Sequence, residues 1–196
     1  MVKKIDVQTA LKKFRNHWIH ENDVGRLRRM EESARDEIER ILKTSPDDKL
    51  KENLSEYISQ LPYMDIAGID YVMENNTLQE AKAAFATLFD DKKKESERLD
   101  AMWALEGVGH IYSSIFLDIA TRGGYLIYTS DLVAALREVE PDSLYEGFTE
   151  VWNREDLEYF TEACRKLYKK HGFASFAELR AFLQNGYASQ WTFEGF

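Results

Sequence analysis

Apolar residues return at intervals of three and four along most of the chain, with charged residues between them. Leu11, Phe14 and Trp18 mark a first helix behind Asp6 as its cap. Leu27, Met30, Ala34, Ile38 and Leu42 mark a second behind Asn22 or Asp23. Ser45-Pro46-Asp47-Asp48 reads as a helix start, with a cap, a proline in the first turn and acids at the positive end. The helix it opens carries Leu50, Leu54, Tyr57, Ile58 and Leu61 and stops at Pro62. Residues 64–73 are apolar without a clear period. Asn75-Asn76 is a turn, and Thr77 with Glu80 forms a capping box for a helix carrying Ala81, Ala84, Phe85 and Leu88.

The charge-rich joint at 90–97 reads as solvated. Leu99, Met102 and Trp103 recur at helical spacing, Leu105-Glu106-Gly107-Val108-Gly109 interrupts, and Ile111, Ile115 and Ile119 resume every fourth residue. Residues 125–128 are the best strand-like run, too short for a sheet. Ser130 caps a helix through Val133, Leu136 and Val139 that Pro141-Asp142 breaks. Helical patterns follow at 144–152, 157–168 and 176–183, the last with a Ser175/Glu178 capping box and Asn185-Gly186 as its closure. The expected fold is all-α, a globular domain of eight to ten helices. Its expected parts are an N-terminal helical subdomain at 1–76, a helix-hairpin-helix core at 77–140, and C-terminal helices at 141–196 packing on the same domain.

Composition narrows the function. Three prolines and ten glycines in 196 residues leave few of the turns that an all-β fold needs. A net charge of −9 excludes general polyanion binding by the whole surface, so any nucleic-acid contact must be local and assisted by backbone amides. Cys164 is the one cysteine; it can form no internal disulfide, fits a reducing cytoplasm and reads as a small buried residue. No apolar run follows Lys3-Lys4 and no segment has the length of a membrane span, so a cytoplasmic location without a membrane partner is expected.

Gly107-Val108-Gly109 carries the most specific chemistry. Two glycines let the backbone reverse and uncover amides at a helix start, which is either a phosphate site or only a tight turn. Gly107, Val108, Gly109, His110 and Ile111 are the expected backbone-contact residues, and the charge of Glu106 opposes the same anion. Trp103, Tyr112, Tyr125 and Tyr128 surround the hairpin in sequence and read either as core or as part of a base pocket. Arg26, Arg28 and Arg29 are the densest basic group; Lys12-Lys13-Arg15 and the cluster at 165–170 are looser. His17 and His20 have a metal-pair spacing, but no third ligand is evident, so no metal and no cofactor are expected.

Residues 105–117 resemble the helix-hairpin-helix of the DNA glycosylase superfamily, of the endonuclease III and adenine glycosylase type. Gly107-Val108-Gly109 matches, Glu106 takes the place of a proline, Ser113 sits at the small position, and Ile115-Phe116-Leu117 continues the helix. Leu126-Ile127-Tyr128 and the helix from Ser130 extend the resemblance, which covers roughly 92–139. The family's catalytic aspartate position falls on Thr129 and its lysine position on Ile111. Neither residue can supply the carboxylate or the amine, and Asp131 lies two positions too late.

Gly107, Val108, Gly109, Ser113, Ser114, Tyr125, Ile127, Tyr128 and Ser130 also resemble helical domains that precede the motor of McrB-type restriction GTPases and related defence AAA+ proteins. No phosphate loop of the GxxxxGK[ST] type is present.

These resemblances imply a non-catalytic DNA-recognition domain of a restriction or defence system. Its partners would be double-stranded DNA, plain or modified, and a AAA+ motor in the same or another chain. A base pocket would draw on Trp103, Tyr112, Tyr128, Ser130 and Asp131, with backbone contacts from Arg26, Arg28 and Arg29. A helical protein-interaction or assembly domain is the alternative. A glycosylase with displaced catalytic residues is the second.

Overall fold

The computed structural model describes residues 6–17, 21–61 and 63–188. Among them every regular element is helical, so the fold is all-α. In chain order the helices are α1 (Val7–His17), α2 (Glu21–Thr44), α3 (Asp47–Ile58), α4 (Ile66–Asn75), α5 (Leu78–Leu88), α6 (Glu95–Trp103), α7 (His110–Ala120), α8 (Ser130–Val139), α9 (Arg154–His171) and α10 (Phe176–Ala188), with a 3-10 turn at Pro141–Ser143. No described helix is long and apolar enough to cross a membrane.

The chain forms two compact units. One comprises 27–125; the other joins 1–26 to 126–196. These boundaries, within α2 and just after α7, differ from the divisions at 76 and 140 expected from turn signals. Turn residues mark where elements stop, whereas a compact unit is set by which elements share a core.

Local chemistry explains several element starts. Asp6 accepts hydrogen bonds from the amides of Gln8 and Thr9 at the head of α1. Thr77 and Glu80 form the reciprocal capping box of α5. Asn153 accepts from the Asp156 amide to cap α9, which ends on Gly172 at φ 69°. Ser175 accepts from the Glu178 amide at the start of α10.

Other starts and stops depart from expectation. α2 already begins at Glu21, so Asn22 and Asp23 lie inside it. Pro46 itself occupies the cap position of α3, and Ser45 instead accepts from the Asn53 side chain. Pro62, expected to end α3, lies outside the described residues; the helix stops at Ile58. Residues 64–73 hold most of α4, capped by Asp65 through the Gly68 amide. Thr129, not Ser130, stands at the head of α8, and makes no capping bond. Residues 125–128 pair with no strand but are buried as irregular chain. The pattern at 144–152 is a loop that buries Leu144, Phe148 and Val151. α10 runs through Asn185-Gly186 to Ala188.

In the unit spanning 27–125, the core is built from Ile38, Leu50, Leu54, Ile58, Ile69, Phe85, Leu88, Leu99, Met102, Phe116 and Leu117. Two buried arginines serve helix C-termini there, whose last carbonyls lack intrahelical partners. Arg35 donates to the carbonyls of Phe89 and Ala120, at the ends of α5 and α7, and pairs with Asp91 at 2.8 Å. Arg98 donates to the carbonyl of Leu88 at 2.6 Å. The joint at 90–97, expected to be merely solvated, therefore supplies a carboxylate to a buried cation.

In the other unit, Phe14, Phe173 and Phe182 meet edge to face, and α8 packs on α10. Cys164 is fully buried, and burial pushes its thiol well above the ordinary range, leaving it an inert packing group.

Candidate functional site

α6 and α7 pack against each other and are joined by the hairpin at 104–109. The reversal needs Gly107, whose φ is +87°. A Cβ there would also lie 2.7 Å from Cδ1 of Tyr71. Val108 is the buried anchor of the turn, and its amide donates to the Leu105 carbonyl at 3.1 Å.

Gly109 serves a different purpose. Its φ of −90° is open to any residue, and nothing lies within 4 Å of where its Cβ would be. It stands at the head of α7, so the first turn of that helix has no capping side chain. Gly109 is exposed and Ile111 is 38% exposed. His110 stands partly exposed, with the Trp103 ring 6.4 Å from its own.

A residue missed in the sequence holds this turn in place. The Asn76 side chain, 7% exposed, accepts from the Glu106 amide at 2.9 Å and donates to the Glu106 carbonyl at 3.0 Å and the Val72 carbonyl at 2.8 Å. It therefore grips both backbone groups of one hairpin residue while closing the C-terminus of α4. Lys51 donates to the Asn76 carbonyl at 2.5 Å. The Asn75-Asn76 pair was legible as a turn, but the side chain's target lies thirty residues on, beyond any local pattern.

α4 also flanks the hairpin. Tyr71 donates to Glu106 at 3.0 Å, and the Tyr112 hydroxyl donates to Asp65 at 2.5 Å. Burial, then the Asp65 carboxylate, push the Tyr112 hydroxyl up to about 12. Hydrogen bonds from Tyr112 and the Gly68 amide hold Asp65 below the usual carboxylate range. Gly68 is where Tyr112 fits, since a Cβ there would collide with its hydroxyl. α4 with its cap contributes Asp65, Asp70 and Glu74 and no Lys or Arg, so the hairpin's neighbour on this side is acidic.

The expected base-pocket residues divide between the two units. In the first, Trp103 is partly exposed, and Tyr112 is committed to Asp65 rather than offered to a ligand. In the second, Tyr128 is a core residue at 1% exposure; it accepts from the Val151 amide and meets the Phe160 ring at 5.4 Å. Its burial removes it from the surface that an extruded base would need. Ser130 is exposed, and Asp131 lies in the first turn of α8. Thr129, at the position of the family's aspartate, has a buried hydroxyl without a hydrogen-bond partner. The side chains of Arg26, Arg28 and Arg29 lie outside the described residues, as do His20 and the side chain of His17.

Among the described residues no three His, Cys, Asp or Glu side chains gather to hold a metal. Two clefts of the unit spanning 27–125, of about 460 Å³ along α2 and α3 and about 360 Å³ beside Phe85 and Phe89, include no hairpin residue in their lining. No family model, curated protein or solved structure matches the chain.

Proposed function

We propose that the hairpin at 104–109 is a non-catalytic contact for the phosphate backbone of double-stranded DNA. The carrying observation is Gly109, with open space over its Cα and an uncapped helix start behind it. Such an end presents unblocked amides and a partial positive charge to an anion. The Asn76 grip keeps the turn in one conformation, so little ordering is required on contact. Thr129 and Ile111 supply neither the carboxylate nor the amine of glycosylase chemistry, which supports recognition without base release. The restriction or defence setting, the AAA+ partner and the reading of a modified base rest on the sequence resemblance alone.

The acidic flank from α4 sets the character of the contact. With no Lys or Arg in the hairpin or in α4, affinity comes from short hydrogen bonds to the backbone amides, not from counterion release over a broad surface. The slope of log K against log salt should then be shallow, roughly −1 to −3. Gly109→Glu tests the proposal by anisotropy with labelled duplexes across a salt series. The space above Gly109 and its ordinary φ mean that the variant folds, so any effect is added bulk and charge at the contact. Affinity should fall about tenfold or more, as expected for losing a charge-assisted hydrogen bond, and similarly for all duplex sequences. A folded variant that binds as well as the parent overturns the proposal.

The same flank favours a second reading, a protein-interaction module. Asp65, Asp70, Glu74 and Glu106 repel phosphate, and Tyr71 and Ile66 stand exposed among them. Failure of the parent to bind any duplex at low salt selects this reading.

A further inference from the structure

The unit formed by 1–26 and 126–196 carries a surface that the DNA-contact reading does not use. Trp152 is 73% exposed, Tyr145 54% and Tyr159 39%. All three come from the loop after the 3-10 turn and the first half of α9. Exposed aromatics gathered on a folded scaffold are a mark of recognition surfaces.

The scaffold beneath them is firm. The Tyr145 and Tyr159 rings lie 5.3 Å apart, and both meet the buried Phe148 ring, at 5.3 and 5.6 Å. The Tyr159 hydroxyl accepts from the Tyr145 amide at 2.9 Å. Arg137 donates to the carbonyls of Tyr145 and Phe148, fixing the loop from below. Trp152 follows the buried Val151, and its amide donates to Asp156 at 3.1 Å. The Trp152 backbone thus stands at the head of α9, and Tyr159 lies about one turn beyond Asp156. Little conformational freedom remains in the backbone to be lost on contact.

Charge identifies the occupant. Residues 141–162 contain Asp142, Glu146, Glu150, Glu155, Asp156, Glu158 and Glu162 against a single Arg154. That arginine is held by Glu155 at 2.9 Å and Glu158 at 3.1 Å. Nucleic acid and anionic lipid are repelled by such a face. A second copy in a symmetric dimer would set the same carboxylates against one another. What fits is a cation with a flat apolar face. The guanidinium stacks on Trp and Tyr rings and accepts carboxylate partners, and it does so better than the strongly hydrated ammonium of lysine.

We propose that the surface of Tyr145, Trp152 and Tyr159 is a docking site for an arginine-rich segment of a partner protein. It belongs to one unit alone and stands whether or not the hairpin contacts DNA.

The test measures anisotropy of labelled nona-arginine and nona-lysine peptides with the full chain. The parent should bind nona-arginine more tightly than nona-lysine. Trp152→Ala should weaken nona-arginine about tenfold or more and erase that preference, while Trp152→Phe retains most of it. Glu155→Lys should weaken binding clearly more than Glu52→Lys, which makes the same change of net charge at an exposed site in the other unit. Because the Trp152 side chain is mostly in water, its removal should leave the circular dichroism and thermal transition unchanged. Equal binding by Trp152→Ala, or equal loss from the two lysine variants, overturns the proposal and reduces the attraction to net charge. So does a self-association of the parent that Trp152→Ala abolishes, since the occupant is then a second copy.

Discussion

Asn76→Ala removes three hydrogen bonds at once, and the cost can be worked from their surroundings. The Val72 carbonyl belongs to the last turn of α4 and is left without its side-chain partner. The amide and carbonyl of Glu106 lose theirs at a hairpin whose other face is exposed, so water recovers part of each. At about 1 kcal/mol net per bond, discounted for the solvent-facing pair, the variant should lose about 2 kcal/mol. For a chain of this length that is a fall in Tm of roughly 4–8 °C. Asn75→Ala is the matched control: its side chain makes one exposed bond, to the Tyr71 carbonyl, and its loss should cost under about 0.5 kcal/mol.

Asn76→Asp sharpens the argument. Its carboxylate would face two carbonyl oxygens, and only the protonated acid can donate to one of them. Its folded pKa is then raised above the unfolded value, so this variant should be most stable in acid and lose stability as pH rises through the folded pKa. Urea denaturation of all three variants, repeated across pH for Asn76→Asp, measures each term. An Asn76→Ala chain within 0.5 kcal/mol of the parent, on the scale of a plain surface change, would refute the clamp.

The two hairpin glycines should respond differently to alanine. Gly107→Ala meets a left-handed φ and the Tyr71 ring and should cost about 1–2 kcal/mol or more, whereas Gly109→Ala meets only open space and should cost about 0.5 kcal/mol, for a poorer cap; equal costs by denaturation would contradict the geometry. In the other unit, burial raises the Glu178 pKa, but the Arg15 hydrogen bonds and the Ala174 amide outweigh it and hold the carboxyl below its ordinary value. Its stabilisation is therefore present above the ordinary glutamate range and lost as pH falls through the folded pKa. Arg15 is 41% exposed, so Glu178→Gln should cost toward the low end of about 1.5–3 kcal/mol at neutral pH; its Tm deficit should shrink in acid, and a constant deficit would sink the reasoning.

Helix-by-helix, much of this protein was legible in the chain, because caps and apolar stripes act within one or two turns. The Thr77/Glu80 box, the Asp6 cap and the buried face of α5 all depend on residues two to four apart, whereas α7 is buried all round from Ser113 to Ala120 and leaves Ile111, the first of its expected stripe, exposed. The hairpin between α6 and α7 was legible for the same reason, since its conformation turns on one glycine at a positive φ. The pattern at 144–152 misled because an apolar spacing of three and four also suits a loop laid over a core. Leu144, Phe148 and Val151 are buried without helical hydrogen bonds, and their loop is held instead by Arg137.

What only the tertiary structure decided are pairings between residues distant in sequence. The Asn76 grip on Glu106, the Tyr112 bond to Asp65 and the Arg35 bonds to two helix ends each join segments tens of residues apart. So does the fate of each aromatic. Tyr128 and Trp152 are both large aromatic residues outside the helical stripes, yet one is sealed in a core and the other stands in water. A residue's own periodicity states which side of its helix or loop it occupies. Whether another element covers that side depends on long-range packing, and that contact alone separates a core tyrosine from a tryptophan left in water.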